Sequence, residues 1–302
     1  MAIYVPGTEE LDQKKQNMSL QAIAASRASS TDFGLVQVDG TTITSASGVI
    51  TSVGGTTPGG HIFGLTLSTA GSSATFGVAI GTAASNDTTP SMMTLASAYT
   101  KTTSAWALGT GNGSLDTGAI ANSTWYHVYL IMRSDTSVVD ILISTSASAP
   151  TMPASYDKKR RIGSMKTNGS AQWVLFSQYG DEFLWDVSVF DINANNPGTS
   201  AVTRTLTIPL GVKVHVIIVV QADTNGATDG RVTITSLDKS DEILSNTGFY
   251  NGFNTAQYII PTSALIRSNT SQQIRSRNST SSATTYLYLW TLGWIDRRGR
   301  DA

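Results

Sequence analysis

The feature that most limits the fold of this chain is a side-chain alternation with a period of two that begins at Phe33. Successive residues of a β-strand point to opposite faces of the sheet. The run "EFLWDVSVF" therefore places Phe183, Trp185, Val187 and Val189 on one face. Similar runs recur to the C-terminus between Gly, Ser, Asn and Pro clusters, and no segment after residue 30 has a helical period over a useful length. The pattern predicts an all-β protein.

One of these runs, Trp125 to Met132, is largely apolar at both its odd and its even positions. A strand with one solvated face would alternate apolar and polar residues, so this run predicts a central strand that is covered on both sides. A second sheet would supply one cover. For the cover on the other face of this strand, a neighbouring subunit stays open as an alternative.

The strands fall into two series, and the Pro, Gly and Asn cluster at 193–198 is the best candidate for a boundary between them. We therefore predict two successive antiparallel β-sandwich domains of jelly-roll type, at 33–192 and 193–302. A short, partly helical segment, 1–32, precedes them. In that segment Thr8 can cap a helix that has Glu9 and Glu10 in its first turn.

The apolar residues of the N-terminal segment recur too loosely for a firm apolar stripe. Two interpretations stay open: a frayed terminus, or an anchor that becomes ordered only on a partner. The candidate anchor residues are Leu11, Met18, Leu20 and Ile23. The opening "MAIYVPGTEELDQKKQN" lacks a positive region followed by an apolar region, so we do not expect a secretion signal.

Charged residues make up only 14% of the chain, against about 25% in a typical soluble domain. Ser, Thr, Asn and Gly take their place, which is typical of all-β extracellular or virion proteins. Cysteine is absent, which excludes disulfides, thiolate metal sites and a Cys nucleophile. No apolar run approaches the roughly 18 residues that a membrane-spanning helix needs.

Two basic clusters interrupt this weakly charged sequence, Lys158 to Arg161 and Arg297 to Arg300. The first begins the strand "RRIGSMKT", which we predict to form a hairpin with "AQWVLFSQ" around Asn168 and Gly169. Charges at a strand end protect against edge-to-edge pairing. For the second cluster, "DRRGR", pairing with carboxylates of another subunit is an alternative. A pI near 6.3 and the shortness of both clusters argue against nucleic-acid binding.

Long strings in the chain resemble a recurrent module of tailed-phage and prophage tail-fibre proteins. They are "WALGTGNGSLDTGAIANSTWYHVYLI", "VVDILISTSASAPTMPASYDKKRRIGSMKT", "FSQYGDEFLW" and the ending "GWIDRRGRDA". The resemblance covers roughly residues 60 to 302 and implies a virion structural protein whose N-terminal part decides attachment. It also implies a glycan of the host surface as the target, and it transfers no catalytic residues.

Sequence features of an enzyme or a metal site are weak. Glu182 and Asp186 share a strand face, but four residues of strand span about 13 Å, which exceeds the separation that glycosidases use. His127 and His215 alternate with apolar neighbours, as structural histidines do. The stretch "DTNGATDG" at 223–230 has Ile234 where a calcium loop needs Glu, and an Asn-Gly hairpin turn explains it better. We expect no catalytic residue, no metal and no cofactor.

Six Trp and ten Tyr are plentiful for a chain rich in Ser and Thr. Sugars stack their apolar C–H faces on such rings, but most of these rings lie in strands, where packing explains them first. Loops on a rigid sandwich commonly carry recognition, so Tyr250, Asn251 and Phe253 in "NTGFYNGFN" are our candidate ligand contacts.

The sequence as a whole predicts a non-enzymatic tail-fibre or spike subunit that resides in the virion and is released by host lysis. The resemblance implies that it attaches to other virion proteins through 1–32, assembles as a homotrimer and binds host glycan by several weak contacts. We expect neither nucleic-acid binding nor membrane insertion. A head or tail decoration protein that binds only virion proteins is the alternative, and a glycan depolymerase is a weaker one.

Overall fold

The structure is a computed structural model, which describes residues 43–46, 49–52, 57–223, 230–243, 252–255, 258–259 and 262–300. Every regular element in these residues is a β-strand and most strand pairs are antiparallel, so the prediction of an all-β fold is confirmed. The described residues contain no helix that is long and apolar enough to cross a membrane. The predicted N-terminal helix and the residues Leu11, Met18, Leu20 and Ile23 lie outside the described residues.

The strands are numbered in chain order. They are β1 (Ile43–Ala46), β2 (Val49–Ser52), β3 (Ile62–Gly64), β4 (Leu67–Ser68), β5 (Thr75–Val78), β6 (Gly81–Ala84), β7 (Met92–Leu95), β8 (Tyr99–Ala105), β9 (Gly113–Leu115), β10 (Trp125–Met132), β11 (Val139–Ser144), β12 (Lys158–Lys166), β13 (Phe176–Tyr179), β14 (Glu182–Asn195), β15 (Val202–Thr205), β16 (His215–Asp223), β17 (Gly230–Thr235), β18 (Gly252–Thr255), β19 (Tyr258–Ile259), β20 (Thr262–Arg267), β21 (Gln273–Asn278) and β22 (Tyr286–Ile295).

The chain divides into two compact units, 1–56 and 57–302. In the first unit β1 and β2 form an antiparallel hairpin in which Ala46 pairs with Val49. The runs "FGLVQV" and "TTIT" around Asp39 and Gly40 also predict a hairpin, and its turn lies outside the described residues.

The second unit begins with a seven-stranded sheet in the order β12-β10-β11-β9-β8-β5-β4 and a three-stranded sheet in the order β3-β6-β7. All eight residues of β10 are buried, which confirms the prediction of a central strand covered on both sides. On one side Val128 and Leu130 join the main hydrophobic core. On the other side Tyr129 and Ile131 pack with Leu142, Tyr156, Trp106 and Met152 in a smaller cluster, so residues of the same chain supply both covers.

Two five-stranded sheets complete the second unit, in the orders β13-β14-β22-β16-β20 and β15-β21-β17-β18-β19. The first is built around β22, which pairs with β14 along one edge and with β16 along the other. The boundary predicted between residues 192 and 193 falls inside the 14-residue strand β14. Ladder hydrogen bonds to β22 hold both halves of that strand, so the chain has no break at this point.

A single hydrophobic core joins these sheets. It contains Val128 from the seven-stranded sheet, Met93 from the three-stranded sheet, Trp294 from the β22 sheet and Ile274 from the β21 sheet. Residues on the two sides of the predicted boundary therefore lose their apolar surface to the same core, and 57–302 is one compact unit.

The hairpin predicted around Asn168 and Gly169 is present but short. The Asn168 amide donates to the Gln172 carbonyl and Thr167 pairs with Trp173, but further along β13 pairs with β14 and not with β12. The hairpin predicted across 224–229 is wrong, because the flanking strands β16 and β17 lie in different sheets. An Asn-Gly dipeptide indicates a turn, but it does not determine which strands pair across it.

Candidate functional site

The outward face of the β22 sheet carries a row of aromatic side chains, which we call the aromatic face: Phe190, Tyr286, Tyr288 and Trp290. The last three alternate along β22 with Leu287 and Leu289, which are fully buried in the core. The period of two thus places the leucines inside and the aromatic rings outside. Phe190 of β14 is paired directly with Trp290 and is 46% exposed.

The rings of the aromatic face contact one another in a continuous series. Phe190 and Trp290 stack with centroids 4.8 Å apart and planes at 19°, and Tyr286 and Tyr288 stack at 5.9 Å and 6°. Tyr288 joins the two pairs, with its ring centroid 6.2 Å from that of Trp290 and 6.1 Å from that of Phe190. Each ring limits the rotation of its neighbour, so the apolar surface is held in a fixed arrangement.

Polar side chains flank the two tyrosines on both neighbouring strands. Tyr288 is paired with Asn193 of β14 and with Gln221 of β16, and Tyr286 is paired with Asn195 and Asp223. Directly paired residues share a face of the sheet with side chains about 5 Å apart. Amide and carboxylate groups therefore border the tyrosine rings on the left and on the right.

This arrangement suits a ligand that has apolar faces and hydroxyl edges. The rings offer flat apolar surface, and the neighbouring amides offer both donors and acceptors. Phe190 is exposed and the three rings of β22 are half-buried, so together they form a contiguous apolar patch of the kind that marks an interaction site. A sugar chain combines C–H faces with hydroxyl edges, and the aromatic face carries groups that complement both.

The sequence signal for this site was present but incomplete. The alternation Tyr286, Tyr288, Trp290 is visible in "TTYLYLWTLGWI", but the pairing of β22 with β14 and β16 is not. Packing does explain most of the other tryptophans. Trp125, Trp173, Trp185 and Trp294 are buried in the core.

The loop residues predicted from the sequence are placed differently. Tyr250 and Asn251 lie outside the described residues, and Phe253 lies in β18, where its backbone is paired with Arg231. The structure thus puts Phe253 in a strand and in a sheet other than that of the aromatic face. Its predicted role in ligand binding stays a prediction.

The first basic cluster begins an edge strand, as predicted, but half of it is not solvated. β12 is at the edge of its sheet, and Lys158 lies near the carboxylates of Asp87 and Asp157. Arg160 and Arg161, by contrast, are buried. The interpretation of the whole cluster as protective surface charge is therefore wrong for Arg160 and Arg161, whose side chains are buried.

The second basic cluster pairs within the chain, so intersubunit pairing is not needed to explain it. Asp296 accepts two hydrogen bonds from the Arg161 guanidinium, one of them 2.7 Å long. Arg298 and Arg300 both pair with Asp181. Burial alone would raise the pKa of Asp296, but the charge and hydrogen bonds of Arg161 and the Arg298 amide hold that pKa below its usual value.

The histidines have structural settings, as predicted for His127. The His127 ring is buried, with Nδ1 2.9 Å from the Ser164 hydroxyl. Burial first, and then the charge of Arg161, lower the pKa of His127 to about 4. His215 is half-buried at the start of β16, and His61 bonds the Thr82 hydroxyl.

The two carboxylates considered as a glycosidase pair and the idea of a metal site can also be compared with the fold. Glu182 is half-buried opposite Ile295, and Asp186 is exposed further along β14. Within the described residues, no group of three or more His, Asp or Glu side chains could hold a metal ion.

Comparison with known protein families found no family that matches this chain, and a search of curated proteins found no match.

Proposed function

We propose that this chain is a structural protein of a tailed-phage virion, a tail-fibre or spike-type subunit that binds a host-surface glycan without cleaving it. The virion assignment rests on the resemblance of residues 60 to 302 to tail-fibre modules. The aromatic face is the observation that carries the glycan assignment, because it combines a fixed series of rings with flanking amides.

A single glycan contact of this kind is weak, and the assembly of several subunits raises the overall affinity. A single sheet face on one subunit would bind a sugar chain only loosely, whereas several copies on one particle raise the effective concentration of sites. We propose a homotrimer as the functional form. Sedimentation of the purified chain at micromolar concentration tests it, and a stable monomer there would contradict the trimer.

The test of the aromatic face compares the intact chain with Trp290→Ala and Tyr288→Ala in adsorption to host cells and in binding to purified host glycan. We expect each variant to bind at least about tenfold more weakly, since aromatic residues at the centre of an interface carry much of its free energy. Tyr179→Ala is the matched control, because Tyr179 is 88% exposed on β13, outside the aromatic face.

The outcomes distinguish the candidate functions. If all three variants bind glycan as tightly as the intact chain, that result would contradict glycan recognition at the aromatic face. A chain that binds purified virions and neither cells nor glycan would be a decoration protein. Release of reducing ends from the glycan would identify a hydrolase instead.

A further inference from the structure

Two small hollows lie side by side where the end of β12 meets β14 and the end of β15. Their volumes are about 180 and 260 Å³, and Ser123, Lys166 and Thr207 line both of them. We call the two hollows together the lysine cleft. Each is smaller than the roughly 300 Å³ at which drug-sized ligand sites begin, so the group that each hollow can take is small.

The two hollows differ in chemistry. Val174, Trp185 and Val189 line the smaller one and make its exposed wall mainly apolar. Asp191 and Gln272 line the larger one, where polar groups form most of the exposed wall. A ligand that fills both hollows therefore needs an apolar group beside a polar one.

The side chain of Lys166 projects into the cleft from the end of β12. Lys166 is paired with Trp125 on the neighbouring strand β10, and directly paired residues share a face of the sheet. Trp125 packs on Trp185 of β14, with ring centroids 5.7 Å apart, so this face is turned toward β14. The Lys166 ammonium thus lies between the seven-stranded sheet and β14, beside both hollows.

The Lys166 ammonium has lost part of its water without gaining an acceptor. It forms neither a hydrogen bond nor an ion pair with any residue in the described part of the chain. Burial, the largest influence, lowers the pKa of Lys166, and the charge of Asp191 offsets that effect only in part. A half-buried donor without a partner is unfavourable, and an acceptor on a ligand would supply what is missing.

Asp191 lines the larger hollow, but both of its carboxylate oxygens are already bonded. Oδ1 accepts from the Thr207 hydroxyl at 2.7 Å, and Oδ2 accepts from the Thr207 amide at 2.8 Å and from the Thr291 hydroxyl at 2.6 Å. Asp191 therefore balances the charge of Lys166 without bonding to it. Lys166 and Asp191 are the charged residues of the two linings, so the cleft as a whole is neutral.

We propose that the lysine cleft binds an N-acetylated amino sugar by its acetamido group. The methyl group fills the apolar hollow, the acetamido oxygen accepts from the Lys166 ammonium, and the sugar hydroxyls occupy the polar hollow. Gln272 donates from Nε2 to the Ile208 carbonyl, which leaves its Oε1 to accept from a hydroxyl. A carboxylate ligand would be attracted by Lys166 but repelled by Asp191, and a plain hexose has no methyl group for the apolar hollow.

The lysine cleft is separate from the aromatic face. Thr291, which bonds Asp191, is buried, whereas the preceding Trp290 belongs to the outward face of β22. Successive side chains of a strand point to opposite faces, so the two sites are on opposite sides of the sheet. This inference goes beyond the glycan contact proposed for the aromatic face, and either can fail alone.

The first test is saturation-transfer NMR of the full chain with N-acetylglucosamine and N-acetylgalactosamine, against glucose and glucuronate. We expect at least one acetamido sugar to bind saturably, about tenfold or more tighter than glucose or glucuronate, because only it fills the apolar hollow. Its methyl protons should be saturated more strongly than its ring protons. No binding of either acetamido sugar, stronger saturation of the ring protons, or equally tight binding of glucuronate would overturn the proposal.

The second test removes the ammonium and keeps the aliphatic stem. Lys166→Met should weaken binding of the acetamido sugar at least about tenfold, since a charged donor to the ligand is lost, while near-ultraviolet circular dichroism stays unchanged. Lys239→Met is the matched control, because Lys239 is 62% exposed outside the cleft, and it should change binding less than about twofold. Equal losses in the two variants would contradict a site at Lys166.

The third comparison separates the two sites and identifies the source of the sugar. Trp290→Ala should bind the acetamido monosaccharide as tightly as the intact chain, and loss of that binding would place the sugar on the aromatic face and overturn the cleft. Unchanged adsorption of Trp290→Ala to host cells, with monosaccharide binding lost in Lys166→Met, would contradict the aromatic face and leave the lysine cleft standing. Host polysaccharide that loses binding after chemical removal of its N-acetyl groups assigns the cleft to a surface polymer. Polysaccharide that binds no better than the monosaccharide assigns it to the free sugar.

Discussion

Asp296 shows at the scale of one residue how this fold depends on a buried charge pair. Its carboxylate is 1% exposed and accepts from both Arg161 and the Arg298 amide. Removal of one member leaves the other charged in the interior, which costs much more than the pair contributes. Neutralising Asp296 would leave the Arg161 guanidinium buried without its counter-charge.

We therefore expect Asp296→Asn to lower the free energy of unfolding by about 3–5 kcal/mol. Denaturant unfolding measures it. Asp135→Asn is the control, since Asp135 pairs with Arg133 at an exposed site and its loss should have little effect. Similar losses in the two variants would show that burial does not set the strength of these pairs.

His127 makes the stability of the chain depend on pH. Its folded pKa of about 4 is below the value near 6.5 of the unfolded chain, so the unfolded chain takes up the proton first. The free energy of unfolding therefore includes the full contribution of neutral His127 above about pH 6.5 and loses that contribution as the pH falls toward 4. The groups that face the ring are Arg161, Asp296, the Ser164 hydroxyl and the backbone of Leu210.

Between pH 7.5 and pH 5 we expect His127 to account for a loss of about 2 kcal/mol in the free energy of unfolding. His127→Gln should be less stable at pH 7.5 but should lack that part of the loss. Unfolding curves at the two pH values measure it, with His61→Gln as the control that keeps the full loss. An unchanged pH dependence in His127→Gln would contradict this assignment.

At the scale of the element, β22 depends on a glycine at its closest approach to β14. A Cβ added at Gly293 would lie 2.1 Å from the Phe183 carbonyl oxygen and 2.9 Å from the Leu184 Cα. The obstacle is backbone, which cannot swing away as a side chain can. The two strands therefore pair here only because residue 293 has no side chain.

Gly293→Ala should push β14 from β22 and lower the free energy of unfolding by at least about 2 kcal/mol. Gly169→Ala is the matched control, because a Cβ at Gly169 has no atom within 4 Å. Thermal and denaturant unfolding of both variants measure the difference. A Gly293→Ala protein as stable as the control would mean that the strands can separate at no cost.

The sequence indicated where most of the strands lie, but it did not indicate which strands pair. The alternation in "TTYLYLWTLGWI" and in "EFLWDVSVF" correctly indicates β22 and β14. Their pairing joins residues about a hundred positions apart, and no local pattern records which of many strands will meet. For the same reason the sequence showed the tyrosines of the candidate site but not the amides beside them.

At the scale of the whole molecule, residues 57–302 form one compact unit around one core. Apolar side chains from both sides of residue 192 bury their surface together, so neither side keeps its core without the other. Unfolding of such a unit is cooperative.

Separate chains 57–192 and 193–302 should therefore fail to fold, whereas the 57–302 chain should unfold in a single transition. Calorimetry and near-ultraviolet circular dichroism of the three chains test this. Two separate cooperative transitions, one for each half, would contradict a shared core and restore the boundary predicted at 192 and 193.

By itself, the sequence determined the class of the fold and the burial of β10, because side-chain alternation is a local property that each strand carries in its own residues. Only the tertiary structure decided that Lys101 is completely buried against Asp140, that Arg161 turns inward to Asp296, and that Tyr288 lies between two amides. Each of these contacts joins distant positions, and its energy comes from desolvation and pairing that exist only once the sheets have met.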